Sequence, residues 1–453
     1  MQVLLIVANG LQLGYLGCYG NEWVLTPTLD RLAAEGIVFD RHYADCPDHV
    51  RALASCRTGL YQIPLAGNEP PSPDRMHPGH DLIEILTQAG VATSLVLEKK
   101  NRAYQEFARF RQTVGPVVPE GNTEARSLDR AFASAANCLK KLAAKKNSLA
   151  WLDLTTLLPE WEFPDEYRTF YCREEAGADQ EDKEKEAGAA AQEDATGEAP
   201  SNMPWTGPLP ERVAMEDDIT FLRLQRTFAG AVTYLDQGVE SLLEELDAER
   251  LLEDLAIILT ADRGLPLGEH GAAAAELPSL HEERVHLPLI IRLPKKSAGG
   301  RRVPAFTQPV DLFPTILEIF GLPVPLVHGQ SLLPVCRAEK RTVRDYACSG
   351  SHAGNACAWA IRTTDWALLL SLDQSASQSS RLFVKPEDRW EMNNIQQHFP
   401  EWALHLEKTL RGFVDCTRRP GPLLPPPLIH FPAINTNDNR ENATHPDTGE
   451  LQP

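Results

Sequence analysis

The chain has 453 residues, is 43% hydrophobic and carries a formal net charge of −19, which suits one large domain with a smaller companion. The charge disfavours nucleic acid and anionic membrane surfaces as partners, since both are polyanions. No apolar run reaches the ~18 residues of a membrane span, and the nine scattered cysteines without a CxxC pair read as free thiols in a reducing cytoplasm.

Residues 3–7 form a short run of Val, Leu and Ile. No basic flank precedes it and polar Asn9 ends it, so it reads as a buried parallel strand rather than a signal peptide. Thr26-Pro27-Thr28 opens a helix whose apolar face carries Leu29, Leu32 and Ala33 and which Gly36 stops. Strands are expected at 37–39, 92–97, 149–154, 255–259 and 287–292, and helices at 82–88, 127–145, 217–250 and 311–320. Such alternation predicts an α/β sheet covered on both faces. Residues 173–200 hold mostly Glu, Asp, Ala, Gly and Lys, with no aromatic or branched aliphatic side chain, and are expected to be a disordered acidic insertion. Short runs at 344–348, 358–362, 366–370 and 381–384 predict a small antiparallel sheet, with a helix at 401–414 packed on it and a Pro-rich extended tail beyond Arg418.

A series of segments then keeps one order and spacing: Leu16-Gly17-Cys18-Tyr19-Gly20-Asn21, Thr26-Pro27-Thr28-Leu29-Asp30, Thr58-Gly59-Leu60-Tyr61, Thr260-Ala261-Asp262-Arg263-Gly264, Gly268-Glu269-His270-Gly271, Pro288-Leu289-Ile290-Ile291-Arg292 and Val310-Asp311-Leu312-Phe313-Pro314. Across nearly the whole chain this resembles the sulfatases of the alkaline-phosphatase superfamily. The resemblance implies a mixed, mostly parallel sheet with helices on both faces, plus a small antiparallel C-terminal sheet and helix. It also implies a chemistry in which a formylglycine, made from Cys or Ser in C/S-x-P-x-R, attacks sulfur beside a calcium ion, while Arg, Lys and His absorb the developing charge.

The residues that this chemistry needs are largely replaced. The family ends its first strand in Asp-Asp; this chain has Asn9 and Gly10, an amide and no side chain. The nucleophile motif falls on His49, Val50, Arg51, Ala52 and Leu53, so His49 replaces the modifiable residue and Leu53 the arginine. Neither Cys46 nor Cys56 restores the motif by a shift of register. Asp48-His49 reads more simply as the start of a helix. Asp262 is retained, but Arg263 takes the next ligand position, where it would repel a divalent cation ~4 Å away by roughly 8 kcal/mol at an effective dielectric near 20. Arg263 is therefore expected to take the metal's place and pair with Asp262. No Lys lies between Asp262 and Lys295, no His between His80 and His270, and His270 in its Gly-rich loop reads as a hydrogen-bonding residue.

The expected organisation is an α/β domain over 1–335, an α+β subdomain over 336–416 and a tail over 417–453. The expected function is a sulfatase homologue that has lost formylglycine- and calcium-dependent activity. Two alternatives stay open. One is a hydrolase with a non-standard nucleophile, drawing on Asp48, His49, Asp262, Arg263 and His270. The other is a non-catalytic binder of sulfated or phosphorylated sugars through Arg51, Arg57 and Arg263. No cofactor is expected, calcium included. The candidate ligand is an anionic small molecule or a sulfated sugar.

Overall fold

The computed structural model describes residues 1–65, 81–99, 112–114, 126–172, 202–214, 216–271, 273, 279–353, 356–372, 380–419 and 423–429. The acidic insertion and most of the tail lie outside them. Among these residues a nine-stranded sheet runs β4-β3-β5-β1-β6-β8-β2-β7, with β9 also paired to β2. Its strands are β1 (Gln2–Ala8), β2 (Ile37–Tyr43), β3 (Ala92–Leu97), β4 (Gln112–Val114), β5 (Ser148–Leu154), β6 (Leu255–Thr260), β7 (His286–Leu287), β8 (Leu289–Arg292) and β9 (Arg301–Thr307). β1 is flanked by β5 and β6, both parallel to it, so their carboxyl ends open on the same edge. β8 enters antiparallel between β6 and β2.

Side chains of β1 alternate between two cores. Leu4, Ile6 and Ala8 face α1 (Pro27–Glu35), α4 (Ser127–Ala143) and α6 (Asp218–Ala248). Val3, Leu5 and Val7 face α2 (His49–Thr58), α3 (Leu82–Gln88) and α8 (Leu312–Ile319). The short helix α5 (Asp165–Phe170) packs on α6, and α7 (Glu282–Val285) leads into β7. With both faces covered, the strands can be apolar throughout, which is why they read as runs rather than alternations.

The second sheet is antiparallel, in the order β10 (Ala347–Ala353), β11 (Ala356–Arg362), β12 (Trp366–Ser371) and β13 (Ser380–Val384). After α9 (Leu333–Cys336), its covering helix is α10 (Pro400–Thr417). β10 begins and ends later than residues 344–348 suggested, because its ladder is fixed by β11, with Ala347 opposite Arg362. β9 was not among the expected strands: pairing with β2 overrides the weak strand propensity of its Arg301, Arg302 and Pro304. No helix among the described residues is long and apolar enough to cross a membrane. All nine cysteines are free.

Candidate functional site

Where β1, β5 and β6 end, the chain brings together Asn9, Asp153 and Asp262, each almost fully buried. The Asn9 amide donates Nδ2–H to Asp153 Oδ1 at 2.8 Å, leaving Asn9 Oδ1 buried and without a hydrogen-bond partner among the described residues. The opposite amide orientation would set two acceptors face to face. Gly10 follows at φ 88, a left-handed conformation. Its N–H donates to Asp262 Oδ1 at 3.3 Å and to the Arg263 carbonyl at 3.1 Å. A Cβ at this position would lie 2.8 Å from Leu158 Cδ2, so the backbone admits an aspartate here only with strain.

α2 supplies the opposite wall. Asp48 caps it, accepting from the Arg51 N–H at 3.0 Å, so Asp48 and His49 do begin a helix. His49, the first helical residue, holds Asp262 Oδ2 through Nδ1 at 3.1 Å, and the Arg263 guanidinium binds that same oxygen. Burial works against a charged His49, but the hydrogen bond and charge of Asp262, with Asp153 behind, raise its pKa above the ordinary value. Burial likewise works against the Asp262 carboxylate, yet Arg263 and His49 hold its pKa below the ordinary range. Arg284 brings a further buried cation near Arg263; desolvation first, then Arg263, lowers its pKa to about 10.

The remaining sequence candidates separate. Leu53 is buried in the core beside Cys56. The Cys56 thiol is pushed up to about 12, chiefly by burial, so it is protonated and a poor nucleophile. Arg57 does not join an anion site: it is fully buried and ion-paired to Asp81 at 2.5 Å. Arg51 donates to the Gln62 carbonyl at 3.3 Å. His270 pairs through Nδ1 with Glu283 at 3.0 Å and stacks on His281, their centroids 3.6 Å apart. His281 in turn binds Glu391 at 3.1 Å. Asp153, Glu283, Arg284 and His281 were missed as site residues. Asp153 had a signal, being a carboxylate inside the otherwise apolar run of β5.

The space left between α2 and the strand ends is about 30 Å³, lined by His49, Leu53, Cys56, Trp151, Asp153 and Asp262 among others. That is room for about one water molecule. As a calcium cradle the residue set is poor. Asn9 Oδ1 and Asp262 are oxygen donors, but the carboxylate that would anchor the ion is engaged by the His49 imidazole and the Arg263 guanidinium, and Arg284 adds a further positive charge nearby. Among the described residues no three His, Cys, Asp or Glu side chains group as metal ligands.

An open, mostly parallel sheet with a polar cluster at its carboxyl edge, joined to a small antiparallel sheet, is the architecture of the alkaline-phosphatase superfamily. The chain belongs to the sulfatase family within it: residues 2–322 match the sulfatase family model, and residues 268–413 match that of the N-sulphoglucosamine sulphohydrolase C-terminal region. It is 34% identical over 127 residues to N-acetylglucosamine-6-O-sulfatase of Bacteroides thetaiotaomicron, covering 28% of this chain and 22% of that protein. It is 25% identical over 417 residues to mouse steryl-sulfatase, covering 74% and 65%. The matched regions thus span less than two thirds of these relatives. Among solved structures, one in complex with its substrate D-glucosamine-2-N,6-O-disulfate superposes with TM-score 0.67 at 19% identity, covering 92% of this chain and 98% of the other. The phosphonate monoester hydrolase of Agrobacterium radiobacter superposes with TM-score 0.67 at 17% identity, covering 90% and 94%. At these identities the superpositions establish the fold.

Proposed function

We propose that this chain keeps the sulfatase fold without performing formylglycine- and calcium-dependent ester hydrolysis, and that its former centre serves as an ion-paired scaffold. The observation that carries this reading is the buried Asp262 carboxylate held by both His49 and Arg263. In this reading Arg263 takes the place of the metal's positive charge. A scaffold of this kind neutralises Asp262 internally, so it needs neither calcium nor a sulfate group to be stable. The cavity beside Asp262 is also small, about 30 Å³, and lined mostly by apolar side chains such as Val7, Leu53, Trp151 and Leu312, a poor setting for a sulfuryl anion. That weighs against a sulfated or phosphorylated sugar at this centre, although such a sugar sulfate is the substrate of one structural relative. A Cys56 nucleophile is disfavoured by its protonated thiol, and His49 is the nucleophile candidate that a rival hydrolase reading would test first.

The test is turnover of 4-nitrophenyl sulfate, 4-nitrophenyl phosphate and a phenyl phosphonate ester by purified protein, with and without millimolar calcium, beside the His49→Ala variant. The expected result is no release above that of the variant. Turnover abolished by His49→Ala would establish the rival hydrolase instead.

A further inference from the structure

A cavity of about 270 Å³ opens where β2 and β9 of the large sheet face the end of β11 and residues 385–389. None of Asn9, Gly10, Asp48, His49, Asp153, Asp262 or Arg263 lines it. Five cations do, Arg41, Arg302, Arg362, Lys385 and Arg389, against two carboxylates, Asp40 and Glu282. In a chain of net charge −19 that local balance runs opposite to the whole. Ion pairs occupy three of the five. Arg302 meets Asp40 at 2.5 Å. Arg362 reaches Glu282 at 2.8 Å and Glu391 at 2.7 Å, and Lys385 lies 3.2 Å from both. His286 uses both ring nitrogens, Nδ1 on Glu282 at 2.7 Å and Nε2 on the Asp40 carbonyl at 2.8 Å.

Arg41 and Arg389 remain, and neither forms an ion pair among the described residues. Arg41 donates to Thr364 Oγ1 at 3.4 Å, its guanidinium 5.1 Å from the centroid of the Phe306 ring. The Arg389 guanidinium lies 5.0 Å from the centroid of Trp390. Arg41 is half-buried and Arg389 exposed, so solvent reaches both. The acids beside them in sequence do not take them. Asp388 accepts from the Met392 and Asn393 N–H groups at 2.9 Å, and neither it nor Asp365 nor Glu387 lines the cavity. A guanidinium presents five N–H donors in a planar fork that matches the paired oxygens of a phosphate or carboxylate. A cationic ligand would meet five like charges, and a neutral one would leave the excess unmatched. Two unmatched positive charges fit a ligand with two negative ones. The volume is just below the ~300–1,000 Å³ of drug-sized pockets, which suits a small anion rather than an oligosaccharide.

We propose that this cavity is a binding site for a small dianionic oxyanion, a phosphate or a dicarboxylate, received by the Arg41 and Arg389 guanidiniums. Arg302, half-exposed and held in place by Asp40, adds positive field beside them. The buried Arg362, Lys385 and Glu282 line the inner side, neutralised together with Glu391. A ligand bound only by the folded chain also stabilises it by mass action, so occupancy raises the melting midpoint.

The site lies apart from the Asp262 centre and is read by binding, without turnover, so it stands or falls independently of the proposed function. Calorimetry and thermal melts of the full chain would follow titration with inorganic phosphate, phenyl phosphate and malonate, with acetate as the monoanion control. The expected result is saturable binding of a dianion, tighter than acetate and weakened by added salt. For phenyl phosphate, binding should be stronger at about pH 8 than at about pH 5, because the second ionisation lies near ~6. The tightest of the three distinguishes free phosphate, a phosphate ester and a dicarboxylate as the source. Arg41→Gln and Arg389→Gln should each weaken binding by roughly tenfold, as for a lost charge-assisted hydrogen bond. Arg337→Gln removes an equal charge from a pair with Glu318 elsewhere and should leave binding unchanged. Should one rim variant fail to fold, the other still decides. Absence of saturable dianion binding, acetate binding as tightly, or undiminished binding in the rim variants overturns the proposal.

Discussion

The buried carboxylate of Asp262 lies between an imidazole and a guanidinium, so its ionisation is linked to theirs. His49 has a folded pKa above its ordinary value of 6.5, so its share of the stability is complete below that value and is lost as pH rises through the raised one. Asp262 is depressed below its ordinary value of 3.8, so its share is present above that value and is lost as pH falls through the depressed one. Asp262→Asn removes the partner that offsets burial, and the His49 imidazole should then titrate below 6.5, as read from its ring-proton NMR shifts. Arg263→Ala should move the same titration upward, since Arg263 opposes protonation of His49. It should also lower stability by about 2 kcal/mol in urea unfolding. That is less than the ~3–5 kcal/mol typical of breaking a buried pair, because His49 remains on Asp262 and Arg263 is partly exposed. Gly10→Asp should cost about 2–3 kcal/mol from its left-handed backbone and the Leu158 contact.

Among the elements, a buried charge cluster helps to join the two sheets. Arg362, at the end of β11, reaches Glu282 at 2.8 Å and Glu391 at 2.7 Å, and Lys385 lies 3.2 Å from both carboxylates. Glu391 holds a left-handed φ of 58, unusual without glycine, and its carboxylate also meets His281. Arg362→Ala would leave two buried carboxylates with one cation fewer, and should destabilise the protein by about 3–5 kcal/mol in denaturant unfolding. Little of this cluster was legible beforehand. Strands such as β1, β5 and β6 announce themselves by apolar runs between turn residues, and α6 by its long periodic face. β9 and the Arg362 cluster arise from partners far away in the sequence, and no local pattern records such a contact. The same limit explains the centre. The losses at Gly10 and Leu53 follow from spacing and the Asp262–Arg263 pair from adjacency. The roles of Asp153 and Arg284, and the removal of Arg57 by Asp81, required three dimensions.

For the molecule as a whole, calcium provides a direct thermodynamic check. A ligand at about a hundred times its dissociation constant stabilises the folded state by about 2.7 kcal/mol, and in a chain of this size that raises the melting midpoint by roughly 2 °C or more. A calcium site of micromolar affinity would therefore be visible in a melt with millimolar calcium. The expectation is an unchanged midpoint, with magnesium as the control for ionic strength.

The left-handed turn at Gly10 has a further implication for how this centre can change. An acidic side chain there strains the backbone; removing Arg263 alone uncovers part of a buried negative charge; an arginine at position 53 enters a packed apolar layer. If the centre holds no ion, as proposed, each step back toward an ion-binding one, taken singly, meets a less stable intermediate before any new function can compensate. The present arrangement is thus a local optimum, and several substitutions would have to arrive together to leave it.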